Sequence, residues 1–429
     1  MNDRRPGTEV EVVVVGGGPA GAAAATTLAR AGRSVVLVDK AEFPRDKTCG
    51  DGLTAGALRL LEELGLDPAE VASWQRVDDV VVRSPSGREV TFPLPRSQGT
   101  YAAVARRVDL DAAVLDLARR AGAELHLGHA CTGVTEHPDR VAVEVERLGT
   151  ISARWLVAAD GIWSPVRRHL GLAMPGYRGE MHAFRQYFDA VGPRPASDLF
   201  VWFEPDLLPG YVWSFPLPGN RANVGFGILR GGKVRRVQDM AEIWRGLLDR
   251  PHIREVLGDD AHPEAPHRAW PIPARIDEVA LVARRTMFVG DAAAATDPMT
   301  GEGIGQALLT GRLAAQAIVH PVGDAGAVTS RYRLSVHQAL VADHRMSKLL
   351  ARALHHRKST RGAIRVAGLS PWTRRHFARW LFEDYPRAIL VTPRRWHRRA
   401  LSTPGAYAAS DRRSGQKAPE NRRLSRVGH

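Results

Sequence analysis

The N-terminal part of the chain alternates short apolar runs with one alanine-rich segment. Residues 10–15 and 34–39 are β-branched runs, which is typical of buried strands. Residues 20–31 between them are rich in alanine and are followed by Gly32, a common helix stop. The pattern therefore predicts a strand–helix–strand unit with a glycine-rich first turn.

Later segments repeat this alternation of strands and helices, and a stretch with a different pattern interrupts it. Helical periodicity is expected at residues 53–64, 109–121 and 303–319, and strands at residues 125–128, 156–159 and 286–290. Between about residues 175 and 275, short aromatic and β-branched runs are separated by Pro and Gly. The runs at residues 199–203, 211–216 and 222–229 predict a mainly antiparallel sheet. Residues 332–391 read as helical.

These elements predict an α/β fold in which a Rossmann-like nucleotide-binding domain is interleaved with an antiparallel β-sheet domain and followed by C-terminal helices. We expect the nucleotide-binding domain at residues 8–75, 100–172 and 280–325. The sheet domain, which would hold the substrate, is expected at residues 76–99 and 173–279. A helical region at residues 326–392 and a basic, disordered tail at residues 393–429 complete the prediction.

The chain carries a formal charge of +14 over 429 residues, and the excess is uneven. Residues 393–429 contain ten Lys or Arg against Asp411 and Glu420, which accounts for +8 of the total. Such a tail suits an anionic membrane surface, although a solvated end explains it equally well. Nucleic-acid binding is disfavoured, because Tyr407 is the single aromatic residue within residues 398–429.

Cysteine usage and the N-terminus indicate the cellular compartment. Cys49 and Cys131 are the only cysteines, so we expect no disulfide framework, no metal cluster and a reducing cytoplasm. The first residues are polar and charged, which does not fit a signal peptide. The most apolar stretch, residues 12–28, contains several glycines and a proline, which is not typical of a membrane span.

The first turn carries the pattern Gly16-x-Gly18-x-x-Gly21, and Asp39 ends the second strand. Gly16 permits a tight turn, Gly18 lets the backbone approach a pyrophosphate, and Gly21 lets the helix pack on the strand. Asp39 would accept a hydrogen bond from an adenosine ribose. The pattern does not distinguish NAD from FAD. The residues expected to bind the cofactor here are Gly16, Gly18, Pro19, Ala20, Gly21, Asp39 and Lys40.

Two later motifs make that distinction. Asp160-Gly161 follows one predicted strand, and Gly290-Asp291 closes another, ahead of Asp297-Pro298-Met299-Thr300-Gly301-Glu302-Gly303-Ile304. Together with the first turn they resemble the fingerprints of the aromatic-hydroxylase-like FAD superfamily. The resemblance implies FAD as cofactor, with Asp291 on the ribityl chain and the backbone of Gly303 and Ile304 near the flavin ring or pyrophosphate. It also implies cofactor contacts from Asp160, Gly161, Pro298 and Gly301.

Two further positions match the superfamily. Arg107, in Arg107-x-x-Leu110-Asp111, resembles the arginine that reaches the cofactor phosphates, and its planar guanidinium suits a pyrophosphate. If the match is shifted by one residue, Arg106 takes this role instead. Cys131 falls where relatives contact adenine through the backbone, and its thiol is expected to be inert.

Two signatures resemble those of the geranylgeranyl reductase family: Pro44-x-x-Lys47-x-Cys49-Gly50-Asp51-Gly52 and Pro209-Gly210-Tyr211-x-Trp213-x-Phe215-Pro216. The second departs from the family pattern, in which two residues usually separate the proline from the tyrosine. The resemblance implies that Cys49, Gly50 and Gly52 contact FAD. Tyr211, Trp213 and Phe215 would share one strand face and bind substrate, although aromatic residues on a strand can also be plain core.

The resemblance implies an FAD-dependent oxidoreductase that saturates C=C bonds of a polyprenyl chain by hydride transfer from reduced flavin. The substrate would be a menaquinone side chain or a geranylgeranyl lipid, and the chain is most similar to bacterial members acting on menaquinone. Cys49, Tyr211 and Trp213 are the expected catalytic residues. Cys49 either donates a proton or only packs against FAD.

Partners and alternatives follow from the same motifs. No second dinucleotide fingerprint follows the first, so the electron donor is left open. The basic, aromatic C-terminal part favours the cytoplasmic face of the cell membrane, where the enzyme would be peripheral. An FAD monooxygenase that hydroxylates or epoxidises a lipid or aromatic compound is the alternative, because both classes share the cofactor motifs.

Overall fold

The computed structural model describes residues 9–96, 98–230, 239–321, 323–393 and 403–408. The strands are β1 (Glu9–Val15), β2 (Val35–Asp39), β3 (Gly52–Thr54), β4 (Gln75–Arg76), β5 (Asp79–Arg83), β6 (Glu89–Pro93), β7 (Ala102–Val104), β8 (Glu124–Leu127), β9 (Cys131–Glu136), β10 (Val141–Val145), β11 (Gly149–Ala158), β12 (Met181–Asp189), β13 (Leu199–Trp202), β14 (Tyr211–Leu217), β15 (Arg221–Leu229), β16 (His262–Pro263), β17 (Arg268–Ile272) and β18 (Thr286–Phe288). The α-helices are α1 (Pro19–Arg30), α2 (Ala55–Glu63), α3 (Arg107–Arg120), α4 (Pro165–His169), α5 (Asp239–Leu248), α6 (Pro251–Leu257), α7 (Ile304–Val319), α8 (Ala325–Val336), α9 (Ala342–Leu354), α10 (Arg357–Ala367) and α11 (Pro371–Leu381). Most of the predicted basic tail lies outside the described residues.

The first sheet has the order β8-β2-β1-β11-β10-β9, and β18 also pairs with β11. Strands β8, β2, β1, β11 and β18 are parallel, while β10 and β9 add an antiparallel hairpin. The valines of β1 are buried because helices cover the sheet, which explains their unbroken apolar run. The parallel part confirms the Rossmann-like prediction.

Helices α1 and α7 pack closely beside this sheet because small residues face each other. A Cβ at Gly311 would lie 2.0 Å from the carbonyl oxygen of Ala20, and one at Gly21 would lie 1.8 Å from that of Gly16. Only glycine permits such approaches. The N-termini of both helices consequently sit at the carboxyl ends of the parallel strands, where ligands bind in open α/β sheets.

The second sheet has the order β16-β12-β15-β14-β13-β5-β6, with β17 also paired to β12. Its pairs are antiparallel except for β13 with β5, so the predicted mainly antiparallel sheet is confirmed. On one face Val212 packs in a core with Phe226 and Trp244. Side chains alternate along a strand, so Tyr211, Trp213 and Phe215 lie on the other face.

A small sheet, β3-β7-β4, was not predicted, because strands of two or three residues carry too little pattern. The helix expected to begin at residue 53 begins at Ala55, since the preceding residues form β3. Thr54 caps the helix by accepting a hydrogen bond from the Ala57 N–H at 3.3 Å. The helix expected at residue 109 begins at Arg107.

The predicted C-terminal helical region is α8 to α11. Residues His337–Val341 form a π-helical turn that joins α8 to α9. Ile364 and Ala367 of α10 pack in a core with Phe92 of β6, which fixes α10 against the second sheet. Among the described residues, none of the helices combines the length and apolarity that a bilayer crossing requires.

Candidate functional site

A cavity of about 880 Å³ is lined by residues from both large sheets and the C-terminal helices. It extends from the first glycine-rich turn to the aromatic face of β14. The predicted site residues that line it are Gly16, Gly18, Pro19, Ala20, Asp39, Lys40, Cys49, Gly50, Gly52, Arg107, Cys131, Asp160, Gly161, Tyr211, Trp213, Phe215, Asp291, Pro298, Gly301, Gly303 and Ile304. Gly21 is not in the cavity wall, because its role in the structure is the close packing of α1.

The glycine-rich turn is held by Asp39. One carboxylate oxygen of Asp39 accepts a hydrogen bond from the Gly17 N–H at 2.6 Å, and the other accepts one from the Ala41 N–H at 2.8 Å. Gly16 has a φ of +109°, and a Cβ there would lie 2.3 Å from the carbonyl oxygen of Ala159. Asp39 therefore shapes the loop that a bound ribose would contact.

Asp160 orders the turn on the neighbouring strand. Its Oδ2 accepts hydrogen bonds from the Ser164 hydroxyl at 2.8 Å and the Val166 N–H at 3.0 Å. Burial raises the pKa of Asp160 to about 6. Within the described residues its Oδ1 is buried without a hydrogen-bond partner, so this atom has unused acceptor capacity at the cavity.

Arg107 is buried at the start of α3. Its guanidinium makes a bidentate ion pair with Asp111, at 2.6 and 2.7 Å, and it lies beside the Cys49 thiol. The alternative, Arg106, instead stacks 4.1 Å from the centre of the Tyr187 ring and pairs with Glu264 at 3.3 Å. The structure therefore brings Arg107 rather than Arg106 into the cavity wall, with part of its hydrogen-bonding capacity already used by Asp111.

Asp291 follows β18, lines the cavity and lies near Lys47 of the first signature. The Lys47 ammonium is 3.9 Å from Asp291 Oδ2 and 4.1 Å from the centre of the Trp270 ring. Burial lowers the pKa of Lys47. Lys47 belongs to the first signature but was not predicted to be a site residue. Its pairing with Asp291 could not be predicted, because the two residues are far apart in sequence.

Cys131 begins β9 at the edge of the cavity. Burial raises the pKa of its thiol to about 11, so the thiol is protonated at neutral pH. Its Sγ donates to the Gly133 carbonyl oxygen at 3.7 Å. These observations agree with an inert thiol.

The loop that carries Cys49 and Asp51, called the Cys49 loop below, is linked to Trp213 of β14 by the side chain of Asn223 on β15. Asn223 Nδ2 donates to the Cys49 carbonyl oxygen and to Asp51 Oδ2, both at 2.8 Å. Asn223 Oδ1 accepts from the Trp213 indole N–H at 3.1 Å. One buried amide thus fixes the loop backbone, the Asp51 carboxyl and the Trp213 ring.

Asp51 is a second residue that sequence reasoning did not select. Its backbone has a φ of +66°, and its Oδ2 also accepts a hydrogen bond from the Tyr187 hydroxyl at 2.8 Å. Burial raises the pKa of Asp51 to about 6. Burial also raises the pKa of the Cys49 thiol, while the charge of Arg107 opposes that rise. The loop therefore presents a neutral thiol to the cavity at neutral pH.

The three aromatic residues of β14 form a continuous apolar wall. The ring centres of Tyr211 and Trp213 are 6.0 Å apart, as are those of Trp213 and Phe215. The Tyr211 hydroxyl donates to the Thr300 carbonyl oxygen, which ties the wall to the loop before α7. A Cβ at Gly52 would lie 3.0 Å from the Phe215 ring, so the Cys49 loop packs directly against this wall.

The C-terminal helices close the far end of the cavity. Leu354 of α9, Ile364 of α10 and Phe377 of α11 line it, together with Trp380. Most side chains of this wall are apolar, and Ser359 and Thr360 are the polar ones. Sequence periodicity indicated helices here but did not indicate which of their faces meets the cavity.

We expect Asn223→Ala to lower the free energy of unfolding by about 2–3 kcal/mol, because it leaves the Trp213 indole, the Asp51 carboxyl and the Cys49 carbonyl short of a buried partner. Urea unfolding measures this change. Ser214→Ala is the matched control, since Ser214 is also buried in the sheet but its hydroxyl has no hydrogen-bond partner among the described residues. Equal stability of the two variants would contradict the assigned role of Asn223.

Comparison with known proteins adds three findings. Residues 9–326 match the FAD binding domain family. The menaquinone reductase of Mycolicibacterium smegmatis is 37% identical over 327 residues, which span 72% of this chain and 76% of that protein. Digeranylgeranylglycerophospholipid reductase 2 of Methanopyrus kandleri is 32% identical over 321 residues, spanning 73% and 78%.

A solved structure has the same fold. The geranylgeranyl bacteriochlorophyll reductase-like protein of Thermoplasma acidophilum superposes with a TM-score of 0.70 at 21% sequence identity. The superposition covers 95% of this chain and 99% of that one. The shared architecture therefore includes the C-terminal helices as well as the two large sheets.

Proposed function

The chain belongs to the FAD binding domain family, and from that premise we propose that it is an FAD-dependent reductase that saturates C=C bonds of a polyprenyl chain. The observation that carries this proposal is a single cavity whose wall includes the Gly18 turn, Asp291, the Cys49 loop and the aromatic face of β14. The names of the menaquinone and digeranylgeranylglycerophospholipid reductases that it resembles support the same reaction.

The donor set of the cavity fits FAD. Among the described residues no side chain caps α1, so backbone N–H groups at its N-terminus are available for phosphate oxygens. Asp39 would hold the ribose end, and Asp291 would hold the ribityl hydroxyls. Gly303 and Ile304 begin α7 and would approach the flavin through their backbone. When bound and reduced, FAD supplies the hydride.

The chain's own residues would orient the alkene and supply the proton. An isolated trisubstituted alkene has no carbonyl to polarise, so saturation needs protonation and hydride delivery at adjacent carbons. The faces of Tyr211 and Trp213 would stabilise positive charge that develops on the more substituted carbon. The neutral Cys49 thiol, on the loop packed against these rings, would donate the proton.

An apolar substrate suits the far end of the cavity. Leu354, Ile364 and Phe377 offer no hydrogen-bonding side chain, so binding there depends on burial of hydrocarbon at about 25 cal/mol per Å². We propose the isoprenoid side chain of menaquinone as the first substrate to test and a geranylgeranyl lipid as the second.

The test is an anaerobic assay of the FAD-loaded protein reduced with dithionite. Menaquinone and a geranylgeranyl lipid are offered separately, and the products are weighed by mass spectrometry. We expect a gain of two hydrogens on one of them and no change with oxidised enzyme. An added oxygen that forms only in air would overturn the reductase proposal in favour of a monooxygenase.

We expect Cys49→Ala to bind FAD normally and to slow saturation by about 100-fold, the scale of one general acid. Cys49→Ser should recover little, because a hydroxyl is a far weaker acid than a thiol. Single-turnover rates measure the effect, and Cys131→Ala serves as the control. Full turnover by Cys49→Ala would leave Cys49 as a packing residue only.

We also propose that the C-terminal helices contact the cytoplasmic surface of a membrane. Ten Lys or Arg and no Asp or Glu occur between Asp343 and Glu383. Val366, Leu369 and Trp372 are each more than 60% exposed on this segment. Cationic side chains beside exposed apolar ones suit an anionic bilayer, where each charge contributes about 1 kcal/mol. The same helices line the apolar end of the cavity, so a lipid substrate could enter from the bilayer.

The double variant Leu369→Ser and Trp372→Ser should bind weakly to vesicles containing anionic lipid, because it removes the exposed apolar contacts. Co-sedimentation of the FAD-loaded protein with vesicles measures binding. Leu334→Ser, which changes an exposed apolar residue of α8, is the control. Vesicle binding of the double variant equal to that of the unmodified chain would refute the proposed surface.

A further inference from the structure

A second cavity, of about 310 Å³, lies behind the loop that precedes α7. Its polar lining includes Asp297, Gln306, Glu383 and Arg387. Several other lining residues, such as Leu60 and Pro386, are partly exposed, which places this cavity near the protein surface. The wall between the two cavities consists of residues 297–306 and the segment after α11.

Two carboxyl groups occupy opposite sides of this wall. Glu302 lines the main cavity, and its Oε1 accepts a hydrogen bond from the Gly305 N–H at 2.7 Å. Glu383 lines the second cavity, and its Oε1 accepts from Gln306 Nε2 at 3.0 Å. Its Oε2 accepts from the Thr54 hydroxyl at 3.3 Å, and Thr54 itself lines the main cavity.

Arg387 is the cation that lies among the carboxyl groups of this wall. The guanidinium of Arg387 is 3.3 Å from Asp297 and 3.4 Å from Glu383. Asp297 also accepts hydrogen bonds from the Ser347 hydroxyl at 2.5 Å and the Thr300 N–H at 2.8 Å. The charge of Arg387 thus acts on Asp297, Glu383, Glu302 and Asp343, and Asp297, which is buried and accepts these hydrogen bonds, is the best stabilised as an anion.

Glu302 is the carboxyl group of this wall that retains a proton at neutral pH. Burial, and then the charge of Glu383, raises the pKa of Glu302 to about 8. Burial also raises the pKa of Glu383. Although burial opposes it, the charge of Arg387 lowers the pKa of Asp297. The charged or titratable groups that face Glu302 are Asp297, Glu383, Arg387, Cys49 and Tyr211.

We propose that Glu302 and Glu383 form a proton path from the second cavity to the main cavity, which rests on the proposed reductase function. Each saturation adds one hydride from the reduced flavin to one alkene carbon and one proton to the other. The proton leaves the Cys49 thiol, and the resulting thiolate is reprotonated from the Glu302 carboxylic acid by way of water. Glu302 regains its proton from Glu383, and Glu383 regains its own from water in the second cavity.

The path accounts for two features that cofactor binding does not explain. Glu302 keeps a neutral acid beside the reaction cavity, whereas a binding role for an FAD phosphate would disfavour a carboxyl group there. Arg387 has a buried Nη1 without a hydrogen-bond partner in the described part of the chain, where water of the second cavity could bind.

Infrared spectroscopy of the FAD-loaded protein tests whether Glu302 is protonated, and it does so without turnover. We expect a carboxylic-acid C=O band at neutral pH that disappears as pH rises through about 8. Glu302→Gln should lose this band while keeping the hydrogen bond to Gly305, and Glu255→Gln, which changes an exposed residue, should retain it. A band unchanged in Glu302→Gln would overturn the assignment.

Multiple-turnover kinetics test the path itself, because Cys49 supplies the proton of the first saturation and each later one needs the thiol to be reprotonated. Glu302→Gln and Glu383→Gln should each slow saturation at neutral pH by about tenfold or more with unchanged FAD affinity, and Glu302→Gln should lose the fall in rate above about pH 8. Glu302→Asp, which restores an acid, should recover part of the rate. Wild-type pH dependence in Glu302→Gln would refute the path. Failure of the unmodified enzyme to saturate any substrate would refute the reductase function instead, while the infrared result would still stand.

Discussion

The hydrogen bonds of Asn223 set the geometry on which the rest of the site depends. They join a loop of the nucleotide-binding half to a strand of the antiparallel half, across the interior of the protein. Since an amide both donates and accepts, one side chain fixes an indole N–H, a carboxylate and a backbone carbonyl at once. The distance between the loop thiol and the aromatic wall is therefore determined by buried, directional contacts rather than by apolar packing alone.

Burial supplies the second organising constraint, because it changes the charge of the acids around the cavity. Asp51, Asp160 and Glu302 all have raised pKa values, while Asp297, paired with Arg387, has a lowered one. At neutral pH, Glu302 is therefore a neutral acid, whereas Asp51, Asp160 and Asp297 are mainly anionic. Such separation of protonation states among neighbouring carboxyl groups is what acid–base chemistry at neutral pH requires.

Much of the architecture could be predicted because long apolar runs and glycine spacing are local signals. The strand–helix–strand start, the antiparallel sheet, the C-terminal helices and the family resemblance were predicted from such signals and are confirmed. Asn223, Lys47 and Glu383 were missed for a common physical reason. Each acts through a partner distant in sequence, such as Asn223 with Cys49, and a polar residue in a strand or turn carries no local sign of that partner. The short strands β3, β4 and β7 escaped because they form only through tertiary pairing.

The packing of α1 on α7 has a consequence for how tightly the cofactor is held. The N-termini of both helices line the main cavity, and Gly311 allows the α7 backbone to approach the carbonyl oxygen of Ala20. The separation of the two N-termini therefore depends on a contact between Ala20, which lines the cavity, and Gly311, which is not in the cavity wall. A methyl group added at residue 311 would meet the Ala20 backbone, so the two helices would have to move apart while the side chains of the cavity wall stay the same. We therefore expect the affinity for FAD to depend on the distance between the N-termini of α1 and α7.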